Sequence, residues 1–415
     1  MSRCCADFTP SSATIPRSTR SPCTIFASPP DQNAFHEAFA DIVALLSVFS
    51  VPEVVERLLG PADAQGTIAA AEVAPERLKR SALFSLAEEL GGALRPGQGG
   101  GLRRSVDLLA RPDWAKGRDF SEPHALGEVL VAAVMQTLHE MWTGRLRSIV
   151  QGERVNRGIV AEEGVKSAQH LLTMAIRSID YTPPLEFEFK DFLDAMLVSD
   201  ERTAPDDEHH YRDALRDAFG RFGIRQPQGQ MIDLTRDPPT YEHINFEALR
   251  GDRDEVFRFL WENADRLDVC RDFYTVVDRV TPAARVGPDG FIVAETVATY
   301  LQTVSGTLAE LERMAARPAY QHWSGGVPFA APRGLAKDTE VQIWGGGALI
   351  FDQFGRATFH QTKPLLDWER QSRRLAHLVA RGLADTRGRY GFSGGVARGQ
   401  RFAVVHAPGD GDEGW

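Results

Sequence analysis

The chain has 415 residues, 43% hydrophobic and 25% charged, with a formal net charge of −10 at pH 7. These values are typical of a soluble globular protein with room for two or three domains. The negative charge, together with the lack of a basic stripe, argues against a nucleic-acid partner. No apolar run reaches membrane-spanning length and no secretory signal is visible, so we expect a cytoplasmic protein without a membrane partner.

Residues 1–32 differ in composition from the rest of the chain. They are rich in Ser, Thr, Pro, Arg and Cys and have no periodic apolar face. Three of the four cysteines lie here, in a pattern that does not make a disulfide framework. One interpretation is a disordered tail. The other is an aberrant segment from a wrong start or a shifted reading frame, which translation of the upstream DNA would reveal.

From residue 33 onward the hydrophobic pattern is helical. Asn33 can cap a helix that runs to about Ser50, where Pro52 is the stop signal. Pro123 opens a long helix that reaches about Ile149. Further helices are predicted at 52–60, 74–92, 162–180, 189–201, 211–224, 241–265 and 292–316, and Gly223 is the stop signal of the one that begins at 211. The pattern therefore predicts a helical region over 33–240 and a helical extension over 241–335.

The pattern changes near residue 336. The short runs "TEVQIW", "ALIFDQ" and "ATFHQ" are strand-like, and "GGG" and "FGR" separate them. We interpret "WGGGAL" (344–349) as a turn between strands and not as a phosphate-binding loop. A basic amphipathic helix (366–384) and a glycine-rich tail follow. The sequence thus predicts a mainly α (α+β) protein with a small C-terminal β-meander in 336–415.

The first predicted helix carries two carboxylates, Glu37 and Asp41, in the run "AFHEAFADIVALL" (34–46). Positions four apart share one face of a helix, and a helix that is apolar almost all round is usually buried. Carboxylates in a dry setting are paired, hydrogen-bonded or bound to a metal. The alternative is a solvated first turn, in which acids complement the helix dipole.

"NAFHEAFADIVALL" resembles the second motif of the thermolysin-like zinc metallopeptidases, the gluzincins, in which N-E-x-x-S-D lies on a helix. The resemblance implies that Glu37 is the third zinc ligand and that Asp41 orients a zinc-binding histidine without touching the metal. His36 stands where the family commonly has Asn and is assigned to the same supporting layer as Asp41. Ala40 stands where the family has Ser.

"SEPHALGEVLVAAVMQTL" (121–138) is similar to a later segment of that family, a histidine at the mouth of a long helix. The resemblance implies that His124 donates a hydrogen bond to the oxyanion of the tetrahedral intermediate. It also implies that Asp119 fixes the tautomer of this histidine. Taken alone, His124 also fits a surface residue or a cap. "HLLTMAIRSIDYTPP" (170–184) and "LIFDQFGR" (349–356) resemble a looser bacterial group of metallopeptidase-like proteins.

The chain departs from the family in one respect that matters for chemistry. Zinc hydrolysis needs three protein ligands, a water and a base, and the family takes two ligands and the base from H-E-x-x-H on a preceding helix. This motif occurs nowhere in the chain, and residues 1–35 contain no histidine. The two His-Glu pairs, "HEAFA" at 36–40 and "HEMWT" at 139–143, lack the second histidine.

We therefore expect a metallopeptidase-like protein, with peptide-bond hydrolysis as the ancestral reaction, that is inactive or truncated as written. Zinc is implied by the resemblance alone, and the implied substrate is a peptide or protein. The alternative is a non-catalytic peptide- or protein-binding module on the same fold. The sequence leaves the oligomeric state open.

Two other polar features receive structural interpretations. "PDDEHHY" (205–211) clusters acids and histidines like a metal site, but a proline and acids at a helix start explain it more simply. His170 lies in an amphipathic helix, and we predict that it packs against neighbouring side chains and takes no part in chemistry.

Overall fold

The computed structural model describes residues 30–79, 123–226, 231–234, 238–286, 292–324 and 326–380. Within them the protein is mainly α-helical with a smaller antiparallel sheet, which confirms the predicted mainly α (α+β) class. Residues 1–29 of the predicted N-terminal tail (1–32) and the chain after residue 380 lie outside the described residues. The first helix begins at Pro30, so residues 30–32 are helical and Asn33 lies inside the helix and not at its cap position.

Ten α-helices and seven strands occur in this described part of the chain. The helices are α1 (Pro30–Phe49), α2 (Pro52–Leu58), α3 (Pro75–Leu78), α4 (Pro123–Leu146), α5 (Arg157–Ser178), α6 (Phe189–Thr203), α7 (Tyr211–Arg221), α8 (Arg253–Glu262), α9 (Leu308–Ala315) and α10 (Trp368–Ala380). The strands are β1 (Thr67–Ala69), β2 (Arg154–Asn156), β3 (Met231–Asp233), β4 (Tyr274–Val286), β5 (Ile292–Thr307), β6 (Glu340–Asp352) and β7 (Ala357–Lys363).

Helices α1, α4, α5, α6 and α7 share one apolar core. α1 faces this core with a stripe of buried residues spaced three or four apart, which places them on one side of the helix. The stripe consists of Ala34, Ala38, Ile42, Leu45 and Phe49. The predicted long helix at Pro123 is α4, which is buried along most of its length.

A sharp bend separates α1 from α2. Pro52 begins α2, as predicted, because proline cannot continue a helix but fits the first turn of a new one. No single helix among the described residues is long and apolar enough to cross a membrane. α1 and α2 meet that test only as a pair, which is bent by 85°.

The start of α5 is fixed by a side-chain cap. The amide oxygen of Asn156 accepts a hydrogen bond from the backbone N–H of Ile159 at 3.1 Å. Such a cap satisfies one of the backbone donors that a helix start leaves without a partner.

Replacing Asn156 with alanine is expected to lower the free energy of unfolding by about 1 kcal/mol, because the cap is lost. Urea titration followed by circular dichroism measures the change. Asn156→Asp keeps an acceptor and should remain close to the wild type. Equal losses in both variants would contradict the capping role.

The main sheet has five antiparallel strands in the order β3-β7-β6-β5-β4, and β1 and β2 form a separate pair. One face of the main sheet packs against the helical layer, where Val297, Ile350 and Phe359 meet Tyr181 and Ala195. The opposite face packs against α8. The sheet therefore lies between two layers of helix.

The predicted helical extension over 241–335 is wrong for most of its length. β4 and β5 occupy 274–286 and 292–307, and the helices in the described part of this interval are short 3₁₀ turns, α8 and α9. The middle of β5 is buried on both faces, and its apolar residues Val293, Val297, Leu301 and Val304 recur at a spacing of three or four, which mimics a helix. Its many β-branched valines and threonines favour a strand. The sheet consequently begins well before the predicted boundary at 336.

The interpretation of "WGGGAL" as a turn is also wrong, because the three glycines lie inside β6. A β-carbon on Gly345 would lie 2.4 Å from the backbone nitrogen of Leu365, and one on Gly347 would lie 2.5 Å from the carbonyl oxygen of Gln361. Glycine is therefore required where β6 passes close to neighbouring backbone. "TEVQIW" and "ALIFDQ" are two halves of one strand.

Candidate functional site

The starts of α1 and α4 lie side by side. A β-carbon on Gly127 would lie 3.1 Å from the carbonyl oxygen of Ala34 and 3.6 Å from the β-carbon of Ala38. Towards the other ends of the two helices, the rings of Phe49 and Trp142 contact each other with centroids 5.3 Å apart. The helices are therefore parallel, and their first turns lie at the same end of the helical layer.

Glu37 and Asp41 are both partly buried on α1. With successive residues turned by about 100°, they lie on the flank of the stripe that faces α4. The other flank packs against α6, where the ring of Phe35 lies 5.1 Å from that of Phe192. The two acids thus share one face one turn apart, as their spacing predicts, next to the contact between α1 and α4.

His36 and Ala40 lie on another side of α1, and both are exposed. The ring of His36 is 6.5 Å from that of Phe35, its neighbour in sequence. His36 is thus turned towards solvent and not along the face that carries Glu37 and Asp41.

His124 belongs to the first turn of α4. Its backbone lies within the described residues, whereas its side chain and the whole of Asp119 lie outside them. The contacts of Gly127 and Trp142 with α1 set His124 level with about residues 31–33 of α1. Glu37 lies about four to six residues further along, which is about 6–9 Å at the rise of an α-helix.

The first turn of α1 is anchored to α6 by a buried polar contact. The backbone N–H of Phe189 donates to the carboxylate of Asp31 at 3.0 Å. Burial, together with the nearby carboxylates of Glu188 and Asp191, raises the pKa of Asp31 to about 6. This contact holds the start of α1, and hence the acids that follow, in a fixed position against α6.

The described residues do not fit a zinc centre by themselves. A zinc site needs three protein ligands, and Glu37 is the one residue that the resemblance assigns to the metal. No group of three His, Cys, Asp or Glu side chains within the described ranges is placed to hold a metal ion.

The structure reveals a histidine–carboxylate pair that the sequence pattern does not indicate. The Nε2 atom of His170 lies 2.6 Å from the Oδ1 atom of Asp200, and Nη1 of Arg212 donates to Oδ2 of Asp200 at 2.9 Å. The rings of His170 and Tyr211 pack in a T-shaped arrangement with centroids 4.8 Å apart. His170 therefore packs, as predicted, but it also joins α5 to α6 and α7 through an ion-pair network.

The prediction that "PDDEHHY" starts a helix is confirmed. The carboxylate of Asp207 accepts hydrogen bonds from the backbone N–H groups of Tyr211 at 2.7 Å and Arg212 at 3.2 Å. His209 and His210 are exposed. The acid thus satisfies backbone donors at the start of α7.

Comparison of the chain with protein-family models, with curated proteins and with solved structures gave no match.

Proposed function

We propose that the chain is a metallopeptidase-like protein, related to the thermolysin-like zinc metallopeptidases, which keeps two helices of their catalytic centre but does not hydrolyse peptide bonds by itself. In this proposal α1 is the helix of the third zinc ligand and α4 is the helix of the oxyanion-binding histidine. Glu37, Asp41, His124 and Asp119 have the roles that the resemblance implies.

The observation that carries the proposal is the parallel packing of α1 and α4. Gly127 lies against Ala34 and Ala38, so Glu37 and the backbone of His124 are at the same end of the helix pair. Long side chains on helices point back towards the N-terminus. For Glu37 this direction is towards the level of the His124 backbone, so an axial offset of about 6–9 Å between the two residues suits a single centre.

The missing H-E-x-x-H motif is the reason for proposing an inactive protein. A bound zinc ion would polarise the carbonyl group of the peptide and lower the pKa of a water molecule coordinated to the metal. The chain contains one residue assigned as a ligand by the resemblance, and the motif that would supply the water-activating base is missing from its 415 residues. A single carboxylate is not expected to retain the metal.

Purified protein is expected to contain zinc far below one equivalent and to leave casein uncleaved, with or without added zinc. Metal analysis and a casein assay, each with a chelator control, make this measurement. Stoichiometric zinc that Glu37→Gln abolishes, or chelator-sensitive cleavage, would overturn the proposed loss of activity.

The shared location of residues 37 and 124 has its own test. Spin labels on cysteines at these two positions should give a short and narrow distance distribution. A control pair at 48 and 124 places the first label eleven residues further along α1, and its distance should be longer by about 10–16 Å. Equal distances for the two pairs would contradict the proposed centre, whatever the metal analysis finds.

A non-catalytic peptide- or protein-binding module on the same helices is the second candidate. It is favoured by the finding that the described residues hold no metal-binding group of three side chains. An unstructured peptide library, screened by fluorescence polarisation, should then yield binders that Glu37→Lys weakens. Binding that Glu37→Lys leaves unchanged would place the interaction elsewhere.

A further inference from the structure

A cluster of ionisable side chains lies where the helical layer meets the sheet. Its members are Asp31 on α1, Glu188 at the start of α6, Asp191 and Asp194 on α6, and Lys363 at the end of β7. We call these five residues the junction cluster. Asp191, Asp194 and Lys363 are fully buried.

Lys363 is the centre of the junction cluster. Its ammonium nitrogen donates to Oε2 of Glu188 at 2.7 Å and lies 2.7 Å from Oδ2 of Asp191. Gln361, also on β7, donates to Oδ1 of Asp191 at 3.3 Å. These contacts fasten the first turn of α6 to β7.

Asp194 lies one turn after Asp191 on α6, and its carboxylate has fewer hydrogen-bond partners than that of Asp191. Both of its carboxylate oxygens are buried and make no hydrogen bond of good geometry in the described part of the chain, although Gln226 lies close by. The charged groups that face it are Asp191 and Lys190 on α6 and Lys363 on β7. A buried carboxylate in this position is costly to ionise.

The negative groups of the junction cluster outnumber the positive ones. The cluster has four carboxylates and one lysine, Lys363, which contacts two of them, and Lys190 outside the cluster lies 3.0 Å from Glu188. The further cation, Arg373 of α10, is 3.8 Å from Glu188, but its side chain is 60% exposed. In a dry site this imbalance is relieved when one or two carboxylates hold a proton.

The pKa values of the carboxyl groups agree with this excess of negative over positive groups. Burial raises the pKa of Asp194 to about 7 and that of Asp31 to about 6. Burial would also raise the pKa of Glu188, but the attraction of Lys363 and Lys190 outweighs it and holds this pKa at about 2. Between the ordinary value of 3.8 and about pH 7, Asp194 therefore holds a proton in the folded protein that it loses in the unfolded chain, so its contribution to stability falls as the pH rises through this window.

We propose that the junction cluster is a proton-operated latch, in which a proton on Asp194 keeps α6 seated on β7 and its loss loosens the first turns of α6 and α1. α1 is included because Asp31 is held by the backbone N–H of Phe189 at the start of α6. The latch does not depend on the proposed function.

Hydrogen–deuterium exchange of the full chain at pH 5.5 and pH 8, corrected for the intrinsic exchange rates, tests the latch. Peptides covering residues 31–37 and 189–195 should lose about tenfold in protection at pH 8. The Asp194→Asn variant keeps the shape but cannot ionise at this position, so its loss of protection between the two pH values should be much smaller than that of the wild type, and Asp31 accounts for the remainder. Asp217→Asn replaces an exposed acid on α7 and serves as the matched control, which should behave like the wild type.

An identical pH response in the wild type and in Asp194→Asn would overturn the latch. A second measurement needs no variant: a carbon-detected NMR titration of the wild type should show one aspartate carboxyl that titrates near pH 7. Aspartate midpoints that all lie below about pH 5 would equally overturn the proposal.

Discussion

Replacing Glu295 with glutamine is expected to lower the free energy of unfolding by about 3–5 kcal/mol, because it removes one side of a buried ion network. Glu295 is 3% exposed on β5. Arg202 of α6 lies 2.6 Å from Oε1, Arg285 of β4 lies 3.2 Å from Oε2, and the hydroxyl of Tyr181 also donates to Oε2. Without the carboxylate, two guanidinium groups remain in a poorly hydrated setting.

Guanidinium chloride unfolding, followed by circular dichroism, measures this loss. Asp180→Asn is the matched control, because Asp180 also pairs with Arg285, at 3.1 Å, but its side chain is 52% exposed. Exposed ion pairs contribute about 0–1 kcal/mol, so this variant should remain near the wild type. If the two variants lose similar amounts of unfolding free energy, the burial of Glu295 is not the reason for the stabilising effect of its ion network.

Gly346→Ala is expected to cost about 3 kcal/mol or more, or to prevent soluble expression. A β-carbon at this position would lie 2.2 Å from the carbonyl oxygen of Tyr300 and 2.9 Å from a methyl carbon of Leu185. The carbonyl belongs to β5, the neighbouring strand in the middle of the sheet, so it cannot move without breaking the pairing of β5 with β6.

Gly144→Ala provides the control for Gly346→Ala. Gly144 lies within α4, and a β-carbon there would meet nothing within 4 Å. Alanine in a helix is favoured over glycine by about 0.5–1 kcal/mol, so this variant should be as stable as the wild type or slightly more stable. Thermal melts should therefore show a large decrease in melting temperature for Gly346→Ala and either no shift or a small increase for Gly144→Ala. A Gly346→Ala variant that melts like the wild type would contradict the close approach of β6 to β5.

The sequence predicts those parts of the fold whose signals are local. The starts of α2 and α4 are marked by Pro52 and Pro123, and the structure begins both helices at those residues. The end of α7 near Gly223 follows from a residue that adopts a positive φ, here +77°, at little cost. Such signals act within a few residues, so one sequence is enough to find them.

β5 shows where local reasoning fails. Its middle is buried on both faces because helices cover both sides of the sheet, and its apolar residues recur every three or four positions, so the alternation that identifies a strand is missing. The prediction of a turn at the three glycines of β6 is wrong for a related reason. What requires them is Tyr300, Gln361 and Leu365, which lie far away in the chain, and not a turn.

For the candidate site, the sequence predicts the shared face of Glu37 and Asp41, because that follows from the helix period. It does not predict the contacts that join distant segments. His170 meets Asp200, and Lys363 meets Asp191, across separations that no spacing rule covers. The roles of Glu37 and His124 stay predictions that rest on the resemblance.

The parallel packing of α1 and α4 has a consequence for the order of folding. Two antiparallel helices that follow each other in the chain can pack together when a short turn joins them. Two parallel helices need a connection that returns along the whole first helix, which is about 30 Å for the twenty residues of α1. Closing so long a loop costs entropy before any contact forms, which slows assembly. We therefore expect the two helices to associate late, after each has been stabilised elsewhere. An isolated peptide of residues 30–58, which contains α1 and α2 but not α4, should therefore be only partly helical, with the carboxylates of Glu37 and Asp41 exposed to water.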